Sequence, residues 1–78
     1  MSITNRVLII LKELSGLDDI LIEDNLQNDL GLDSITMVTL LLEIEEEFRI
    51  TLDESDMNPF DLTTVADVVV LVEKYVGE

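Results

Sequence analysis

The residues with usable chemistry are few. The 78-residue chain has no cysteine and no histidine. Nucleophilic pairs of the Ser–His or Cys–His kind are therefore excluded, as are thiolate metal sites and disulfides. What remains is hydroxyl and carboxylate chemistry, and the informative spot is Leu30-Gly31-Leu32-Asp33-Ser34-Ile35. Asp33 and Ser34 stand just before an apolar-periodic run, where a helix start is expected. A hydroxyl there sits at the positive end of the helix dipole, so a phosphate ester on Ser34 would be tolerated. Asp-Ser before a helix is also an ordinary cap, and capping alone explains the dipeptide equally well. An acid–base pair of Asp33 with Asp29 or Glu43 is the remaining catalytic option. Surface carboxylates are usually only solvated, so the chain reads as no enzyme.

The element that must position Ser34 is the helix expected over residues 34 to 48. Met37, Leu40, Leu41, Ile44 and Phe48 recur at helical spacing and are expected to face the core. Ile35, Val38 and Leu42 form a neighbouring stripe that runs on into Glu45 and Glu46. An earlier helix is expected over residues 2 to 15, with Ile3, Val7, Ile10, Leu11 and Leu14 on one face. Ser2 or Thr4 is its cap and Gly16 its stop. Residues 17 to 33 read as a long irregular connection, pinned by Leu17, Ile20, Leu21, Ile22, Leu26, Leu30 and Leu32. It is not a calcium loop of the EF-hand type. With Gly31 as the loop glycine, Leu26 and Leu30 fall on ligand positions.

Beyond the second helix, Arg49 to Leu52 is expected to run extended. Asp53 to Met57 is expected to form one short helical turn capped by Asp53 and ended by Pro59. Phe60 and Leu62 are expected to plug the core. Thr64 with Asp67 matches a capping box with Asp in place of Glu or Gln. Residues 65 to 76 are β-branched enough for a strand, but the helical spacing of Val65, Val68 or Val69, Val72 and Val76 favours a helix, with Gly77 as its stop. The expected fold is all-α: a small four-helix bundle of three longer helices and a short one, in one domain over residues 1–78.

The run from Leu30 to Phe48, ending in the acidic triplet Glu45-Glu46-Glu47 before Phe48, resembles the centre of the acyl carrier proteins. The likeness extends over essentially the whole chain. It implies that Ser34 carries 4′-phosphopantetheine, with Asp33 the acid before it, and that the arm's thiol holds an acyl group as a thioester. It implies partners as well: a phosphopantetheinyl transferase using coenzyme A, and acyl-loading and synthase enzymes whose basic patches meet Ile35, Val38, Leu42, Glu45 and Glu46. Met37, Leu41, Ile44, Phe48, Leu52 and Phe60 correspond to walls of the cavity that holds the acyl chain in fatty-acid carriers.

Some positions depart from the fatty-acid pattern. Thr36 and Thr39 stand where acids are usual on the second helix, Arg49 stands at a commonly acidic or polar position, and the stretch from Ser55 to Leu62 is longer. These point towards polyketide or related biosynthesis, or towards a stand-alone carrier of an amino acid such as a D-alanyl or peptidyl carrier. Leu32 leans away from the peptidyl type. The rival of another class is an acidic helical adapter with no prosthetic group.

Eighteen acids face four bases, a formal charge of −14. Such a chain repels phosphate backbones, so nucleic acid is excluded as a partner, while basic protein surfaces are attracted. The 47% hydrophobic content argues against disorder. With no secretory signal and no stretch of membrane-span length, a monomeric cytoplasmic protein is expected. A core this small supplies only about 3–5 kcal/mol, and self-repulsion works against it. Magnesium or added salt is therefore expected to raise the melting temperature. A melting temperature flat across a salt titration would refute that reading of the charge.

Overall fold

The computed structural model describes residues 2–77. Three α-helices carry the fold: α1 (Ile3–Ser15), α2 (Ser34–Phe48) and α3 (Val65–Val76). Two single 3-10 turns, Glu54–Asp56 and Pro59–Asp61, lie between α2 and α3. Among the described residues there is no strand, only an isolated bridge between Asn25 and Thr64. The all-helical expectation holds. The short fourth helix is instead the two separate 3-10 turns. Pro59 does not end the first turn. It opens the second, because its fixed φ suits the start of a helical turn and its missing N–H is not needed there.

Helix boundaries follow local chemistry. Ser2 caps α1 by accepting from the Asn5 N–H, and Gly16 leaves it in the left-handed conformation at φ 74°. The Thr64–Asp67 box is complete. Thr64 Oγ1 accepts from Asp67 N, and Asp67 Oδ2 accepts from the N–H groups of Thr64 and Thr63. Aspartate, one methylene shorter than glutamate, still reaches the cap backbone here. After α2 the chain does not extend at once as expected. Arg49 takes the left-handed conformation at φ 54° and donates its N–H to the Glu45 carbonyl, closing the helix where no glycine is available.

The core is aliphatic. Val7, Leu11, Leu26, Met37, Leu40, Leu41, Ile44, Val65, Val68 and Val72 are wholly or almost wholly inaccessible. No polar or charged residue is buried among the described residues. α1 packs against both α2 and α3. Arg6 reinforces the first of these contacts. Its guanidinium lies 4.3 Å from the centroid of the Phe48 ring, and it donates to Glu47 Oε2 at 3.1 Å and to the Glu47 carbonyl at 2.7 Å. A cation at the last turn of α2 thus meets the helix's negative end.

The long connection from Leu17 to Asp33 is irregular, as expected, but only some of its apolar residues pin it. Ile20, Leu26, Leu30 and Leu32 are buried, whereas Leu17, Leu21 and Ile22 face outwards. The backbone explains the split. Leu26 N donates to the Thr63 carbonyl, and the Asp24 and Ile22 carbonyls accept from Val65 N and Ala66 N. The connection is therefore stitched to the start of α3, and Leu26 is turned into the core. Phe60 does not plug the core; it is 68% exposed, while Leu62 two residues on is buried. In the Pro59 turn only one of the two can point inwards, and the smaller aliphatic takes that place. Among the described residues no helix is long and apolar enough to cross a membrane.

Leu26→Ala is expected to cost about 2–5 kcal/mol, as for other buried leucines, which is most of this domain's stability. Leu21→Ala, at an exposed position of the same connection, is expected to stay within about 0.5 kcal/mol of wild type. Urea unfolding in magnesium-containing buffer measures both; equal losses would contradict the stitched connection.

Candidate functional site

Ser34 is the first residue of α2 and is exposed. Its placement is built by the nine residues before it, Asn25 to Asp33. Asn25 organises the turn: its side-chain oxygen accepts from Gln27 N and Asn28 N, and its carbonyl accepts from Asp29 N and Leu30 N. Asp29 returns a bond, its Oδ2 accepting from Asn25 N at 2.7 Å. Gly31, at φ 70°, makes the change of direction that a side chain would resist. Leu32 N then donates to the Leu26 carbonyl at 3.0 Å. Leu32 before the cap and Met37 in the first turn are buried in one core, the pattern of a hydrophobic staple that fixes the angle at which the chain enters the helix.

Asp33, not Ser34, is the cap. Its Oδ1 accepts from Thr36 N at 2.8 Å and its carbonyl from Met37 N at 2.9 Å. The Ser34 hydroxyl is therefore outside the cap and faces solvent, beside N–H groups of the first turn that have no partner within the helix. The Thr36 N–H bond also holds the Asp33 carboxyl below its ordinary value of 3.8. Asp33 and Asp29 serve different backbone N–H groups and do not form an acid–base pair. Among the described residues no cluster of three or more carboxylates could hold a metal ion.

The outward stripe of α2 splits. Ile35 is 78% exposed, and Val38, Leu42 and Glu46 are also exposed. Glu45 is half-buried, and its Oε2 accepts from Leu52 N at 2.8 Å, tying α2 to the segment that follows. Of the residues corresponding to cavity walls, Met37, Leu41, Ile44 and Leu52 are buried and Phe48 is half-buried, all in the common core. Phe60 is not among them; it stands outside. No pocket opens between the helices among the described residues.

One further cluster lies where the chain leaves the last turn of α2. Asp56 Oδ2 accepts from the Tyr75 hydroxyl and from Lys74 Nζ, and Tyr75 Oη accepts from Asp53 N at 2.8 Å. The last turn of α3 thus holds the first 3-10 turn. The Tyr75 hydroxyl and Lys74 keep the Asp56 carboxyl low, and Asp56 in turn pushes the Tyr75 and Lys74 groups up. The sequence signal is Tyr75, the chain's single tyrosine and the one aromatic residue of α3. Its partners, nineteen and twenty-two residues away, leave no periodic trace.

Comparison with known proteins places this geometry in context. A family model described as a phosphopantetheine attachment site matches residues 5–72. The acyl carrier protein of Thermotoga maritima is 35% identical over 96% of the chain and 93% of its own length. That of Desulforapulum autotrophicum is 37% identical over 85% of the chain and 86% of its own. A non-reducing polyketide synthase of Emericella nidulans is 42% identical over 91% of the chain, a stretch that is 3% of the synthase.

Because the Asp33 carboxyl is held below its ordinary value, the unfolded chain binds the proton more readily than the folded one. The stabilisation is complete above the ordinary value and is lost as pH falls through the lower folded one. Asp33→Asn keeps a good capping side chain but cannot titrate. The stability advantage of wild type over Asp33→Asn is expected to shrink as pH drops below about 4. Denaturant unfolding at a series of pH values measures it, and a pH-independent difference would contradict the assignment.

Proposed function

The chain belongs to the phosphopantetheine-attachment family of acyl carrier proteins, and on that premise we propose that Ser34 is the attachment residue. The protein is a carrier and not a catalyst, and its prosthetic group is 4′-phosphopantetheine. The arm supplies a thiol on which an acyl group rides as a thioester. The protein's own residues supply a place and an address.

The single observation that carries the proposal is the separation of roles at the start of α2. Asp33 closes the helix, so the neighbouring hydroxyl is free, exposed and held on a rigid element. In the modification, Ser34 Oγ would bond to the phosphorus next to pantetheine in coenzyme A. The pyrophosphate bond breaks, adenosine 3′,5′-bisphosphate leaves, and the transferase takes the hydroxyl proton. The resulting phosphodiester carries one negative charge. The unpartnered N–H groups and the positive end of α2 favour a charge at that point. The residues present therefore fit the group.

The address is the exposed part of the α2 stripe, Ile35, Val38, Leu42 and Glu46. Glu45 contributes charge there while one of its oxygens holds Leu52. Transferases and synthases with basic patches are the partners that this surface suits, and electrostatic attraction raises encounter rates more than it tightens the complex. In this reading residues 1–78 are one carrier domain, and the two 3-10 turns stand where a four-helix carrier bundle has its short helix. The acyl group follows fatty-acid, polyketide or related biosynthesis. A stand-alone aminoacyl carrier is the second reading, favoured by Thr36 and Thr39 at positions where fatty-acid carriers have acids.

Apo protein incubated with a broad-specificity phosphopantetheinyl transferase and coenzyme A is expected to gain one phosphopantetheinyl mass, and Ser34→Ala none. An unmodified wild type would overturn the assignment. Glu46→Lys is expected to slow the modification at low salt, and to do so less at high salt. Glu45 is unsuited to this test because its replacement also frees Leu52 N.

A further inference from the structure

The feature that neither the core nor the attachment site accounts for is Phe60. It is one of three aromatic residues in the chain and is 68% exposed. It is also firmly presented. Asn58 Oδ1 accepts from Phe60 N at 3.0 Å, the Asn58 carbonyl accepts from Asp61 N, and the Pro59 carbonyl accepts from Leu62 N, whose side chain is buried. Pro59 fixes the backbone just before it. A ring displayed on a turn closed at both ends loses little conformational freedom on binding, which is what makes an effective anchor.

Its position relates it to α2. The Pro59–Asp61 turn packs directly against α2, the helix that starts at Ser34 and exposes Ile35, Val38 and Leu42. The molecule measures only 27 × 26 × 18 Å. A standard interface takes about 800 Å² from each partner, a patch roughly 30 Å across. A footprint of that size centred on α2 extends over a turn packed directly against that helix. The surroundings select the partner's charge. Asp61, next in the chain, is exposed, as are Asp53 and Glu54 on the preceding turn; the sequence has no base between Arg49 and Lys74, and Lys74 is bonded to Asp56.

Resting on the reading of Ser34 as attachment residue, we propose that Phe60 is a recognition anchor for the phosphopantetheinyl transferase, filling an apolar slot rimmed by lysine or arginine on that enzyme. Modification requires the transferase to hold the whole carrier in register while one hydroxyl reacts. A rigid aromatic that takes no part in the reaction supplies binding alone, so it acts through KM.

The test measures initial rates of mass gain for apo carrier with a broad-specificity transferase and coenzyme A, over a range of carrier concentrations. Phe60→Ala is expected to raise KM for the carrier between about three- and tenfold with kcat unchanged, the range of a moderate interface anchor. Phe60→Trp restores most of the affinity. Val70→Ala, which truncates an exposed apolar residue of α3, leaves KM as in wild type and controls for general loss of surface. Circular dichroism melts of all variants coincide with wild type. Wild-type kinetics for Phe60→Ala overturn the anchor and leave the Ser34 assignment standing; an unmodified wild type overturns both. A fall in kcat alone, or an equal rise in KM for Val70→Ala, also overturns the anchor.

Discussion

In this chain, backbone N–H groups take the place of the cations it lacks. Eighteen acids share four bases, so ion pairing cannot neutralise the surface. Instead Asp24 accepts from Leu21 N, Asp29 from Asn25 N, Asp33 from Thr36 N, Glu45 from Leu52 N, and Asp67 from Thr63 N and Thr64 N. Each bond is charge-assisted and stronger than a neutral one. Each also closes a turn or a helix end that would otherwise leave a donor unpaired. The acids that burden the fold with repulsion are the same groups that define where its helices begin and its connections turn. Without them the aliphatic core would still collapse, but the segments around it would have little to fix their path.

This division of labour has a consequence for function. The carboxylates spent on the backbone sit at element ends, and those left free sit on the outward faces, Glu46 on α2 among them. A transient partner meets charge that no internal bond competes for. The serine benefits from the same arrangement. Asp33 satisfies the helix start, so the hydroxyl next to it has no structural duty. The moving part of a carrier is its arm, and the protein beneath can stay still: the connection leading to Ser34 is bonded to itself through Asn25 and to α3 through Leu26. With the arm on Ser34 as proposed, each hand-over would start from that geometry.

Much of this was legible in the sequence, because helical spacing and capping chemistry are local. The three helices, the Gly16 stop and the Thr64–Asp67 box follow from residues within a few positions of one another; the caps are legible only as a choice, Ser2 or Thr4 and Asp33 or Ser34, which the structure resolves to Ser2 and Asp33. What was not legible depends on contacts between distant segments. Nothing local says that Glu45 turns back to Leu52, or that Asp56 meets Tyr75. Leu17, Leu21 and Ile22 resemble Leu26 in every local respect, yet only Leu26 is turned inwards by its bond to Thr63. Hydrophobicity alone puts Phe60 in the core. The Asn58-Pro59 pair before it is a turn signal, and a tight turn separates neighbours into inner and outer. With Leu62 inside, Phe60 had to be outside.

The two threonines on α2 bring these strands together. Thr39 Oγ1 donates to the Ile35 carbonyl at 3.1 Å, folding its hydroxyl back onto the helix. Thr36 gives its N–H to Asp33. Neither adds charge near Ser34, so the first two turns of the exposed stripe are apolar and neutral, and the negative potential begins further along, at Glu43 and Glu46, and continues over the turns from Asp53 to Asp61. Beside the serine the charge is that of Asp33, which precedes the helix and whose carboxylate accepts from the Thr36 N–H. The surface of α2 itself runs from apolar to acidic over about three turns. On the proposed assignment of Ser34, the placement of charge relative to its hydroxyl is the feature that distinguishes one partner surface from another.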